Sequence, residues 1–180
     1  MEEKESLCDE SLIDWFRKNV IDNEARAYLE KNKEKISNAY KKLLEGYDID
    51  ASKIIKGLKK NDSFHGLVHF KDIPFTSIFL HYFIPCTGKI NIIYEPGEIL
   101  IEFSEIYKLV QALSHKVHTQ ESLCMEIAEE LMHSGKTKGV RVYSECPNLP
   151  MICENLQNLY VNTKCSCALG TLSRYKDETN

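Results

Sequence analysis

The hydrophobic period changes twice along this 180-residue chain, and the order of those changes restricts the fold more than any single motif. The first sixty residues carry helical spacing. Leu12, Ile13, Trp15, Phe16 and Val20 make one apolar face, and Ala27, Leu29, Ile36, Ala39, Tyr40, Leu43 and Leu44 make a second. Gly46 is placed to end that second helix, and Asp50-Ala51-Ser52 opens a short third one through Ile54, Ile55 and Leu58. Lys56 to Asp62 reads as a polar turn. From Leu67 the period shortens to that of strands: Leu67 to Phe70, Phe75 to Phe83 and Ile90 to Tyr94 are rich in β-branched and aromatic residues. Pro85-Cys86-Thr87-Gly88 reads as the hairpin turn between the last two. Pro96-Gly97 breaks the chain, and Ile99 to Ile101 is a short apolar piece. Helical spacing then returns twice, with Ile106, Leu109, Val110 and Leu113, then Leu123, Ile127, Ala128 and Leu131. Val140 to Tyr143 reads as a strand, with weaker candidates at Leu159 to Val161 and Cys167 to Leu169. Helices, hairpin, helix pair, strands: that order predicts an α+β fold rather than a βαβ array.

Charge and thiols narrow the function classes. Lys and Arg total 23 against 27 Asp and Glu, a net charge of −4, without the basic excess a phosphate-backbone binder needs, so no nucleic-acid partner is expected. No apolar run approaches the roughly 20 residues that span a bilayer. The opening MEEKESLCDE is acidic and resembles neither a secretory signal nor a transit peptide, so a cytoplasmic location with reduced thiols is expected. Seven cysteines nevertheless invite a metal site. Cys165-Ser166-Cys167 has the wrong spacing for a zinc knuckle and, on a strand, puts both thiols on one face. Cys146 and Cys153 are too loosely patterned to define a site, and His115 and His118 are spaced as a ligand pair on a helix. There is no phosphate-cradling glycine loop, no dinucleotide fingerprint and no H-E-x-x-H.

PFTSIFLHYFIPCTGK, from Pro74 to Lys89, resembles the GTP cyclohydrolase I signature F-x-S-x-C-E-H-H-x-x-P-F-x-G-K. KISNAYKKLLEGYD (Lys35 to Asp48) is similar to the family's helix ending in a Gly-Tyr-Asp turn. EFSEIYKLV (Glu102 to Val110) resembles its G-L-S-K-x-x-R-x-V segment, and HTQESLCMEIAEEL (His118 to Leu131) its Q-x-Q-E-R-L-T helix start. The register holds from residue 24 onward, without a gap between Phe79 and Gly170. The resemblance implies the tunnelling fold, a four-stranded antiparallel sheet with two helices on one face, after an N-terminal helical section. The expected division is 1–62 helical section, 63–172 tunnelling-fold domain and 173–180 tail. It further implies a homo-oligomer, a decamer or pentamer, with active sites at subunit interfaces. The family chemistry is hydrolytic opening of the GTP imidazole ring to dihydroneopterin triphosphate, in pteridine and folate synthesis.

Residue by residue, the carry-over is uneven. The family's zinc positions hold Phe79, Tyr82 and Pro150, and Asn148 replaces a histidine nearby. An open zinc site needs about three N, S or carboxylate donors, so no metal cofactor is expected. Glu121, with Gln120 before it, matches the glutamate that pairs with guanine N1–H and its amine, and the resemblance makes both substrate-binding candidates; Glu121 also suits the positive end of a helix capped by Thr119. His81 matches the proton-transfer histidine, or serves as a hydrogen-bonded structural group. Of the triphosphate shell, Ser104 is retained, and Lys35 and Lys108 replace arginines. Glu105 and Glu154 stand where the family is basic. The expectation is a degenerate homologue that has lost the ring-opening reaction and keeps a GTP- or pterin-binding glutamate. The alternative is an active, divergent enzyme with a metal site rebuilt from Cys86, Cys146, Cys153, Cys165 or Cys167. The related nitrile reductases, which use no zinc, are excluded because Phe79 stands at their nucleophilic cysteine.

Overall fold

A computed structural model of the chain describes residues 2–56, 59–147 and 162–174. Two compact units divide at 43/44. The first holds α1 (Glu2–Asn19) and α2 (Asn23–Lys42). Asp22 caps α2 by accepting from the Ala25 amide at 2.6 Å, and Arg17 on α1 pairs with Glu30 on α2 at 2.6 Å. Both ion-pair side chains are about half exposed, so the bridge contributes little to stability.

The second unit is built on strands β2 (Val68–Phe79), β3 (Ile84–Glu95), β6 (Gly139–Pro147) and β7 (Asn162–Gly170). They pair antiparallel in that order, and a two-residue strand β5 (Val117–His118) adds parallel to the end of β2. A separate small ribbon joins β1 (Lys59–Lys60) to β4 (Ile99–Leu100). Helices α3 (Phe103–Ser114) and α4 (Gln120–His133) lie between β3 and β6 in sequence and pack on one sheet face. This is the α+β architecture the resemblance implies, and the period of 3.6 explains it locally. Ile106, Leu109, Val110 and Leu113 of α3, with Leu123, Ile127, Ala128 and Leu131 of α4, are all buried against Ile73, Phe75, Ile90, Ile92, Val140 and Val142. Tyr94 closes one end of this core, its hydroxyl accepting from the Ile101 amide at 3.1 Å.

Four sequence expectations are corrected. The hairpin turn lies at Leu80 to Phe83, closed by the Phe83 amide donating to the Phe79 carbonyl at 2.8 Å, and not at Pro85 to Gly88, which belong to β3. Phe83 takes the left-handed φ of 53° that ends such a loop. Gly88 serves close approach instead of turning: a Cβ there would stand 2.4 Å from the Glu145 carbonyl oxygen and 2.6 Å from the Phe75 ring. The third helix contracts to one 3₁₀ turn, Ala51–Lys53, and Lys59–Lys60 within the expected polar turn pair as a strand. His115 and His118 share no helix, because α3 ends at Ser114 and His118 belongs to β5. The strand expected at Leu159 to Val161 lies outside the described residues.

Candidate functional site

Two pieces of backbone meet at one end of the sheet. Phe79 and His118 are register partners between β2 and β5, and the Leu80 amide donates to the His118 carbonyl at 2.9 Å. The hairpin loop carrying His81 and Tyr82 therefore sits beside the N-terminus of α4, which begins two residues after His118. Thr119 caps α4 in a reciprocal box with Ser122. Gln120 then turns inward and Glu121 outward.

Gln120 is 8 % exposed, and its amide donates to the Ser144 carbonyl at 3.0 Å and the Thr163 carbonyl at 2.9 Å. It ties α4 to β6 and β7 at once. Its amide protons are spent on the fold, so of the two adjacent residues only Glu121 faces solvent in the first helical turn. There the helix N-terminus favours an anion. The carboxylate is near enough to Cys146 and Cys165 that its charge helps hold both thiols protonated, behind the larger effect of burial at Cys165 and of burial and a neighbouring thiol at Cys146.

His81 is exposed and set edge-on to Phe79, ring centroids 5.3 Å apart; Tyr82 stacks on the same ring at 6.3 Å. Phe79 also lines a cavity of about 20 Å³ with Phe75, Ser77, Cys86, His118 and Gln120. Against the family signature, the aromatic and the thiol have changed places across this hairpin: Phe79 stands at a cysteine position and Cys86 at a phenylalanine position. Ring volume withdrawn from one strand is resupplied from the other, which keeps the site packed.

The phosphate-side residues lie elsewhere. Ser104 and Lys108 are exposed one turn apart on α3. That helix runs alongside β2 with Phe103 against Phe70 (5.6 Å between centroids), while Gln111 in its last turn donates to the Pro74 carbonyl, midway along β2, at 2.8 Å. Ten residues at 1.5 Å each put Ser104 about 15 Å along α3 from Ser114, the helix end beside His118. Lys35 belongs to the α1–α2 unit. Glu105, a charge reversal by sequence, is used structurally: its carboxylate accepts from the Lys56 amide at 2.9 Å and from the Glu102 amide at 3.1 Å in the capping box of α3. Asn148, Pro150, Cys153 and Glu154 lie outside the described residues. Among the described residues no three His, Cys, Asp or Glu side chains converge as metal ligands.

His118, beneath this end, donates from Nε2 to the Leu113 carbonyl at 2.9 Å, has its Nδ1 3.3 Å from Ser122 Oγ, and faces Glu126, which also binds Lys116 at 2.6 Å. Burial pushes its pKa below the ordinary 6.5, against the pull of Glu126. The folded protein thus holds a neutral imidazole where the unfolded chain would take a proton first. Stability from this group is complete above pH 6.5 and falls as the pH drops from there toward the lower folded value, by up to about 1.4 kcal/mol per pH unit. Melting temperatures of the wild type and His118→Gln between pH 7.5 and 5 should show a shallower decline in the variant.

Known proteins resemble this chain in sequence and in fold. A family model described as GTP cyclohydrolase I matches residues 10–180. A GTP cyclohydrolase 1 of Bacteroides fragilis is 26% identical over 182 residues, covering 98% of this chain and 94% of that protein. One from Neurospora crassa is 30% identical over 137 residues; those cover 76% of this chain and 44% of the fungal protein, so the chain spans less than half of that relative. Among solved structures, an archaeosine synthase QueF-like protein in its apo form superposes with a TM-score of 0.50 at 15% identity, over 60% of this chain and 97% of that one.

Proposed function

Because the chain belongs to the GTP cyclohydrolase I family and has its tunnelling fold, we propose that it is a pteridine-type binding protein in which zinc-dependent ring opening has been lost. The observation that carries this reading is the Phe79–Tyr82 stack. Two zinc positions of the signature are filled by a ring with no donor atom and by a phenol near pKa 10 packed upon it. The residues present do not fit the metal. Without a Lewis acid, no group in the described site lowers the pKa of water to supply hydroxide at neutral pH.

Guanine or pterin recognition falls to Glu121. Its carboxylate can accept two parallel hydrogen bonds from the N1–H and exocyclic amine that guanine and pterins share. The carboxylate stands in the first turn of α4, where the helix N-terminus favours an anion, and Gln120 fixes the helix to the sheet. Ser104 and Lys108 complete a site only when a second copy brings its α3 end to this one, which favours a homo-oligomer, pentamer or decamer, working in the cytoplasm. Among the described residues no helix is long and apolar enough to cross a membrane.

The direct test is ligand-induced thermal stabilisation. GTP or neopterin should raise the melting point of the wild type, and Glu121→Ala should weaken binding roughly 10- to 100-fold, the worth of charged hydrogen bonds. An unchanged affinity in Glu121→Ala, with its own melting point intact, would remove the carboxylate from the site.

A further inference from the structure

We propose that the helix-free face of the sheet carries an oligophosphate-binding site, separate from the end that holds Glu121. Side chains from β2, β3, β6 and β7 line one cavity of about 690 Å³ there. That volume lies inside the range of roughly 300–1,000 Å³ typical of small-molecule sites. Strand alternation decides which residues reach it. Ile90, Ile92, Val140 and Val142 are fully buried against the helices, so their neighbours Asn91, Ile93 and Tyr143 point to the other face and line the cavity. Asn91 is the register partner of Tyr143, and Tyr143 of Ser166, so three strands set polar groups side by side on one rung.

A β-bulge brings Lys71 to that rung. Between the Phe70–Ile92 and Ile73–Ile90 pairs β2 has one residue more than β3, and Asp72 takes a left-handed φ of 55° to accommodate it. The Asp72 amide donates to Asn91 Oδ1 at 2.9 Å. This bond engages the acceptor of Asn91 and leaves its NH2 as the group offered to a ligand. A left-handed residue other than glycine costs free energy, and such strain gathers at functional sites.

The polar groups select an anion. Glu145, the carboxylate among the described lining residues, is already engaged: it accepts from Asn162 Nδ2 at 3.1 Å and pairs with Lys164 at 3.7 Å. Asp72, at the bulge, pairs with Lys89 at 3.2 Å. Among the described residues no carboxylate pairs with Lys71, which is exposed on the cavity with His69 beside it. The ammonium of Lys71, the NH2 of Asn91 and the hydroxyl of Ser166 therefore face the ligand as donors, on a chain whose net charge is −4. Strands are roughly 4.8 Å apart, so the row from β2 to β7 covers three spacings, roughly 14 Å. A lone carboxylate would meet one or two of these donors. A linear oligophosphate, free or as the tail of a nucleotide, presents anionic oxygens to several. The site shares no residue with Glu121, His81, Ser104 or Lys108 and does not rest on the pterin reading.

Isothermal titration of the full-length protein with sodium tripolyphosphate at low ionic strength should give saturable binding that weakens as salt is added. Lys71→Gln should lower the affinity about tenfold or more, the worth of one charge-assisted hydrogen bond. Ser166→Asp, which sets a like charge in the row, should abolish binding. Both positions are exposed, so neither change disturbs the core, and melting curves of the variants verify their folding. ATP binding as tightly as tripolyphosphate supports a nucleotide as the source of the chain; binding of tripolyphosphate alone supports the free anion. Absence of saturable binding to the wild type, or an affinity unchanged in both variants, overturns the assignment. So does binding that is lost in Lys108→Gln and kept in Lys71→Gln, which would place the anion on α3.

Discussion

Gly88→Ala lowers the melting temperature by about 6–12 °C, a large effect for adding one methyl group. The added carbon meets three neighbours at once: the Glu145 carbonyl oxygen at 2.4 Å, the Phe75 ring at 2.6 Å and the Cys146 Cβ at 2.8 Å. Two of these cannot swing aside. The carbonyl belongs to the strand paired with β3, and Phe75 is 4 % exposed in the core. Relief requires β3 and β6 to separate where α4 is tied down through Gln120. Overpacking of this kind costs about 3 kcal/mol, a large share of the 5–15 kcal/mol that stabilises a domain. At roughly 2–4 °C per kcal/mol for a chain of this size, that is about 6–12 °C. A thermal melt of the variant decides the point; a shift under about 2 °C would mean that the strands yield more readily than the packing implies.

The core and layer order were legible because they depend on period alone. Every apolar position assigned to the α3 and α4 faces is buried, since side chains spaced three and four apart must share a helix face. The hairpin was misplaced for an equally physical reason. Pro-x-x-Gly is a strong turn pattern, yet Pro85 sits near the start of β3, where its described partner is β2 alone, and Gly88 is there for contact with β6. The loop that does turn, Leu-His-Tyr-Phe, contains none of the usual turn residues, and its left-handed position is filled by Phe83. Local chemistry carried no signal for it.

The site divided along the same line. Family register located Glu121 and the Phe79 and Tyr82 replacements, because these are identities at aligned positions. It read Gln120 as a ligand-binding residue, whereas the amide is committed to two strand carbonyls from sequence positions 24 and 43 residues away. No local pattern reveals such a clamp. Glu105 is similar: its sign suggested repulsion of phosphate, and its position shows a helix cap. The separation of Ser104 and Lys108 from Glu121 emerged only from the direction of α3 along β2.

The proposed loss of the metal carries the largest expected effect of all. Family chemistry needs a Lewis acid both to hold and to acidify the attacking water. Phe79 lines the cavity itself and carries Tyr82 on its face, so the change involves packing as well as one missing donor. Restoring Phe79→Cys alone would therefore open a void beside Cys86 without supplying the remaining ligands. The rate should fall short of a working enzyme by at least about 10⁶-fold, the lower end of enzymatic acceleration.

The most direct test supplies zinc to the purified protein, removes the excess, and measures bound metal and fluorescent pterin product from GTP in one sample. The predicted result is well under one zinc per chain and no product above the uncatalysed background. One zinc per chain together with turnover of GTP would contradict the account and point to a rebuilt catalytic metal site.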